Sequence, residues 1–435
     1  MENFSSAHPR IAVSGPSWLP PPLRSRWWVV AACGLALVVG SGVINVYAFG
    51  VFMKPMSEEL GVGRSVLSSG ILLGQVMSAI AYALVGVVTD RYGPRGVMML
   101  GIPLFAAATA CYALLTPSLA MIYLVFAFVG LVGVVQSPVT FGAILAKWFD
   151  DRRGLALGFA TAGVGVGTAI VPLFANVLLE RLGWRNAFLG VALLILVVAW
   201  LPMLVFIREP SARDVAETPD VPEAAKTGMS AREAFASWRF WALTAAFFLG
   251  VPAITGTLTH TVALFTDRGI PASTAIQVLT GAGLALIAGR VVSGWLLDRF
   301  FGPTVAVVFF VLPMAGITLL LSGLAGVAPY LGVILVAITA GGEIDVMAFL
   351  ATRFFGLKAY GKIYGVMFAF FAIGTGLGPY LAGLSFDWFH SYTPSFLLFE
   401  GGLVITCVLF MTLGPYTFPK ARTPRAVPIT ARLAE

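Results

Sequence analysis

Three ionisable side chains stand inside otherwise apolar runs: Arg290 in "LIAGRVVSGWLLDRF" (286–300), and Glu343 and Asp345 in "ITAGGEIDVMAFLATRFF" (338–355). A guanidinium in hydrocarbon costs about 2.5–3.5 kcal/mol on insertion scales, so each such charge needs a reason. Arginine presents a planar fork of donors that matches a carboxylate at two points. An acid nearby has two uses. It neutralises the arginine permanently, or it is released when another anion arrives and takes up a proton rather than remain charged in a low-dielectric medium. The residue types therefore allow either a fixed ion pair or an exchangeable site for a carboxylate and a proton.

The elements holding these residues follow from composition. Of 435 residues, 59% are hydrophobic and 11% charged, with 48 glycines, which excludes an ordinary water-soluble domain. Apolar runs recur near 27–53, 65–88, 97–115, 119–146, 154–179 and 185–207, then near 240–265, 272–297, 303–324, 328–351, 361–386 and 394–416. Each is long enough to cross a hydrocarbon core of about 30 Å. The expected fold is all-α, with twelve transmembrane helices. An even number places both termini on one side. Lys54, Arg64, Arg181, Arg185 and Arg268 fall on the opposite side and Arg290 within the membrane, leaving 21 of the 27 basic residues with the termini. Both termini are thus read as cytoplasmic. The net charge of +7 reflects topology and anionic lipid, and no nucleic-acid module is visible.

The polar stretch 208–239 divides the chain into bundles at 27–207 and 240–416, with a disordered tail at 1–26 and a cytoplasmic tail at 417–435. The halves repeat. "GVVTDRYGPRG" carries Gly86, Asp90 and Arg91, and "GWLLDRFFGP" carries Gly294, Asp298 and Arg299, at an offset of 208 between Asp90 and Asp298. Lys147-Trp148-Phe149 faces Arg353-Phe354-Phe355 at an offset of 206. Two Gly-Asp-Arg turns in register suggest a cytoplasmic latch between pseudo-symmetric halves, the glycines permitting close approach and the aspartates meeting helix N-termini or arginines. The same offsets set Tyr82 opposite Arg290, and Ser137 and Val139 opposite Glu343 and Asp345. A charge present in one half only is a site candidate rather than scaffold. Counting from Asp298 and Arg353 at 1.5 Å per residue puts Arg290 and Asp345 about 12 Å deep and Glu343 about 15 Å deep, at comparable height.

With these motifs the chain resembles the major facilitator superfamily, whose loop pattern is Gly-x-x-x-Asp-Arg-x-Gly-Arg-Arg. "FGVFMKPMSEELGVGRS", "WFDDRRGLALG" and "RFFGLKAYGKIYG" are similar to its monocarboxylate and oxalate/formate branch. That resemblance implies alternating access, a central cavity to which the eighth and tenth spans contribute, and an arginine, here Arg290, that holds the anion. The sequence departs from it in places. Pro94 replaces a basic loop residue, Leu286 stands where mammalian carriers have an aspartate, no lysine precedes Lys54, and 363–386 lacks the lysine of the oxalate exchanger. The missing second cation favours a monoanion.

Asn45, Tyr47 and Gln136 are further substrate-binding candidates, and Ser137, Thr140, Thr255, Thr257 and Thr259 weaker ones. His260 is read as a solvated rim residue, Glu400 as structural, and Cys33, Cys111 and Cys407 as packing residues without disulfide or metal. The fifth-span glycines Gly163, Gly165 and Gly167 permit close helix contact. The expectation is a secondary transporter of a small monocarboxylate such as lactate or pyruvate, driven by proton symport. Its partners are the anion, the proton and the bilayer; it acts as a monomer, with no cofactor, no metal and no enzymatic chemistry. The 21 arginines against 6 lysines hint at a GC-rich bacterial source and an inner membrane. The alternatives are anion exchange, a cation or drug antiporter, and a non-transporting sensor.

Overall fold

The computed structural model describes residues 25–149, 153–207, 228–324 and 326–418. The tail at 1–24, most of the linker and the last residues from 419 lie outside them. The helices long and apolar enough to cross a membrane are α1 (Trp27–Leu60), α2 (Arg64–Tyr82), α3 (Arg95–Leu114), α4 (Leu119–Gly142), a segment Leu155–Phe206, α7 (Trp238–Asp267), α8 (Ala272–Arg299), α9 (Gly302–Leu321), α10 (Ala328–Phe355), α11 (Tyr360–Phe389) and α12 (Thr393–Thr412). The 52 residues of Leu155–Phe206 would span about 78 Å if straight, more than twice a hydrocarbon core. Gly183 turns the chain back there with φ 73°, a left-handed conformation that disfavours any side chain. The segment is therefore two crossings, α5 (155–182) and α6 (184–206), and the total among the described residues is twelve. Gly93, also at φ 73°, makes the corresponding break between α2 and α3.

Two buried cores follow the two halves. One runs from Val29 to Ile207, with Phe49, Phe52, Phe105, Tyr112 and Phe188 at its centre. The other runs from Ala234 to Leu413 and takes Val51 from the first half, with Tyr47, Tyr82 and Leu179 packed against it. Helices within a half approach through small residues, because lipid offers no hydrophobic drive and close backbone contact must hold them. At Gly130 an added Cβ would collide with the Gly74 carbonyl, backbone that cannot move aside, so α2 and α4 touch there. Gly130→Ala is expected to lower stability by about 1–3 kcal/mol through overpacking. The thermal unfolding midpoint in detergent reads this out, and an unchanged midpoint would contradict so close a contact.

The halves meet along α1–α7, α2–α11 and α5–α8. Gly50 lies against the Thr259 carbonyl, Gly376 against Leu72, and Gly165 against Ile287. The fifth-span glycines divide their work. Gly163 and Gly167 seat α5 against Gly34 and Val38 of α1, whereas Gly165 faces α8 of the other half.

Besides a π turn over Leu196–Trp200 in α6, two helices of the first half are irregular at membrane depth. In α1, residues Val43–Ala48 form a wide π turn. In α4, a 3-10 turn over Val134–Gln136 leads into Ser137 in an extended conformation (φ −116°, ψ 156°), and the helix restarts at Pro138. The fourth apolar run is thus one interrupted crossing. Ser137 caps the restart by accepting from the Thr140 amide at 3.4 Å, a serine-proline start whose missing proline N–H is one the helix would leave unpaired in any case.

Candidate functional site

Between the halves lies a cavity of about 140 Å³. A water needs about 10–15 Å³ of such space, so the cavity suits a small organic molecule with some water. Its wall draws on α1, α2, α4 and α5 from one half and on α7, α8, α10 and α11 from the other. Both irregular stretches reach it, through Asn45 and Tyr47 on the π turn and Gln136 and Ser137 at the α4 break. Such broken or widened helices are tolerated at membrane depth where they line a cavity.

Arg290 and Glu343 face this space from α8 and α10. Two close backbone contacts hold the helices together: Gly341 packs on the Leu286 carbonyl, and Gly289 on that of Ile338. The Arg290 side chain is 12% exposed, and its Nε has no hydrogen-bond partner among the described residues. Its ion pair with Asp345 is long, 3.8 Å, and Asp345 itself is 39% exposed and not part of the cavity wall. Glu343 is buried, and its Oε2 also lacks a partner among the described residues. The site thus sets an incompletely satisfied cation beside an incompletely satisfied acid. Buried polar atoms of this kind cost about 1–3 kcal/mol each and call for a partner.

The family model of the Major Facilitator Superfamily matches residues 35–350. The chain belongs to the Major Facilitator Superfamily. Monocarboxylate transporter 13 of Rattus norvegicus is 30% identical over 418 residues, covering 92% of this chain and 91% of that protein. The oxalate:formate antiporter of Oxalobacter formigenes is 28% identical over 232 residues, 52% of each chain. Among solved structures, a bacterial homolog of the human lysosomal transporter Spinster, inward-facing and occupied, superposes with a TM-score of 0.64 at 16% identity, covering 89% of this chain and 96% of that one. It is a likeness of fold. A transporter of this superfamily is not an enzyme, and it is a multi-pass membrane protein.

In this transporter the residues singled out from the sequence divide clearly. Arg290, Glu343, Asn45, Tyr47, Gln136, Ser137 and Thr255 line the cavity. Thr257 and Thr259 are buried elsewhere in α7, Thr257 bonding the Ala253 carbonyl at 2.7 Å. Asn45 accepts a long bond from Tyr112, 3.4 Å. Gln136 is fully buried with neither amide atom partnered among the described residues. His260 is not a rim residue: it is fully buried, 3.0 Å from the Pro379 carbonyl and 3.2 Å from the Tyr392 hydroxyl. Glu400 accepts from Thr318 at 3.0 Å, joining α12 to α9. Of the proposed latch, Gly86 and Asp90 lie on helical backbone but their side-chain surroundings fall outside the described residues. Arg91 stacks on Tyr92, and Arg299 stacks on Trp295 and bonds its carbonyl at 3.3 Å. A Cβ at Gly294 would meet nothing within 4 Å, so the close approach expected of that glycine is absent.

Sequence reasoning missed Gln75, Ser78, Phe368, Phe371 and Thr375 in the wall. Tyr82 was named only as the repeat partner of Arg290. It lines the same cavity, edge-on to Phe368 at 5.0 Å.

Proposed function

We propose that this transporter carries a small monocarboxylate by proton-coupled symport, with Arg290 binding the carboxylate and Glu343 taking the proton. The observation that supports this most is the pairing, in one cavity wall, of a guanidinium whose Nε makes no hydrogen bond among the described residues and meets Asp345 only at 3.8 Å with a buried acid whose Oε2 makes none. An arriving carboxylate completes the arginine's fork, for which charge-assisted bonds are the strong choice. Asp345 then acts as counter-ion while the site lacks substrate, and Glu343 neutralises when loaded, so that anion and proton cross together. Tyr47, Asn45 and Gln136 supply polar contacts to the rest of a lactate- or pyruvate-sized anion. The relatives' printed names, a monocarboxylate transporter and an oxalate:formate antiporter, favour the same substrate class.

The chain's bundles are assigned to 27–207 and 240–416 with a linker between, its termini to the cytoplasm, and its setting to a bacterial inner membrane as a monomer. Gly86, Asp90, Arg91, Gly294, Asp298 and Arg299 are assigned to a latch that forms when the end bearing the termini closes.

A second reading, anion exchange, is favoured by the likeness to the oxalate:formate antiporter. Uptake of radiolabelled lactate and pyruvate into proteoliposomes separates the two. Symport predicts accumulation driven by an inward proton gradient with no anion inside. Uptake only against preloaded anion would replace symport by exchange, and no saturable uptake of either acid would overturn the substrate class.

A further inference from the structure

At the end of the bundle opposite the chain termini, the two halves are joined by charges that the substrate site does not use. Arg64, the first residue of α2, is 7% exposed in its side chain and grips Asp267 of α7 with both terminal nitrogens, Nη2 to Oδ1 at 3.0 Å. The same guanidinium donates to the Tyr392 hydroxyl at 2.6 Å and lies 3.7 Å over the Phe386 ring. Lys54, at the end of α1, reaches the same Asp267 at 3.3 Å. Asp387 of α11 accepts from the backbone amides of Arg64 and Ser65, at 3.0 and 2.8 Å. A carboxylate of one half therefore caps the N-terminus of a helix in the other, where the helix dipole favours it. Gly63 leaves room for that carboxylate, since a Cβ there would strike Asp387. Deeper along the same seam, His260 of α7 lies 3.3 Å from Ser68 of α2.

The signs are segregated. Lys54 and Arg64, from the first half, carry the positive charges, and Asp267 and Asp387, from the second, the negative ones. The cluster is neutral while closed and separates into a cationic and an anionic rim if the halves part.

We propose that Arg64, Asp267 and Asp387 are the gate of this transporter at the end opposite its termini, and that its rupture is a required step of the transport cycle. Removing one partner of a pair of low exposure leaves the other charge uncompensated, which destabilises the closed arrangement specifically. A two-state element needs such a contact, present in one state and absent in the other. Which anion is carried does not enter this inference, so it stands or falls separately from the substrate reading.

The test is the reactivity of a cavity cysteine. Ser41 of α1 lines the cavity; Ser41→Cys, in a background with Cys33, Cys111 and Cys407 replaced by serine, is titrated with a membrane-impermeant maleimide applied to either face of oriented membranes. Asp387→Asn and Arg64→Gln are each expected to raise the labelling rate from the face opposite the termini about tenfold or more, with no matching rise from the other face. The charge exchange Arg64→Asp with Asp267→Arg should return it toward the parent rate. Asp387→Asn is the milder change and keeps one acceptor oxygen, so it remains informative if Arg64→Gln yields no folded protein by size exclusion. Unchanged labelling in Asp387→Asn, or an equal rise from both faces, would overturn the gate.

Discussion

Replacing Arg290 with glutamine is expected to abolish saturable uptake of monocarboxylates, with affinity falling roughly 100-fold or more. A hydrogen bond to a charged group contributes about 1.5–3 kcal/mol, and the guanidinium fork offers two. At about 1.4 kcal/mol per tenfold, losing both gives that factor at the lower end. Arg290→Lys keeps the charge as a compact point and loses the fork, so a drop of roughly tenfold is expected, seen as a raised KM in proteoliposome uptake. Because Arg290 also faces Asp345 at 3.8 Å, the single glutamine variant leaves that acid without its cation. The double variant Arg290→Gln, Asp345→Asn removes both charges, and it should fold yet still fail to transport. Uptake restored in the double variant would show that Arg290 serves only to neutralise Asp345.

Glu343→Gln is expected to lose accumulation driven by a pH gradient by at least about tenfold while retaining exchange of labelled for unlabelled anion. The amide keeps the shape of the acid but cannot release and rebind a proton across the cycle. Asp345→Asn should behave differently. Its ion pair is long, 3.8 Å, and Asp345 stands outside the cavity wall, so its removal is expected to reduce proton-driven uptake less than Glu343→Gln does. Loss of proton-driven uptake in Asp345→Asn with Glu343→Gln unaffected would transfer the proton to the other acid. Proton-driven uptake intact in both would remove the coupling mechanism.

That Arg290 and Glu343 stand in the cavity wall was legible in the sequence because a charge in an apolar run has few structural excuses, and because the internal duplication sets no charge opposite either. The crossings were legible for the same elementary reason, a length of apolar residues matched to a hydrocarbon core. The interruption of α4 was written in the sequence as Ser137-Pro138, but the surrounding apolar run concealed it. Gln75, Ser78 and Thr375 could not be found, since each is an ordinary small or polar helix residue until its neighbours across the seam are known. Arg64, Asp267 and Asp387 were hidden for a related reason. Charges near helix ends resemble interfacial anchors, and only the meeting of α2 with α7 and α11 turns them into a buried cluster. His260 was misjudged from its distance along α7 alone; lateral packing against α2 and α11, which no count of residues reveals, buries it.

The central claim, that Arg290 receives a substrate carboxylate, is tested most directly by ligand-induced thermal stabilisation of the purified protein. A ligand at 100 times its Kd stabilises the state it binds by about 2.7 kcal/mol. Short monocarboxylates should raise the unfolding midpoint of the parent in a saturable manner, and should leave the Arg290→Gln, Asp345→Asn variant unmoved. Equal stabilisation of parent and variant by the same acid would contradict the account.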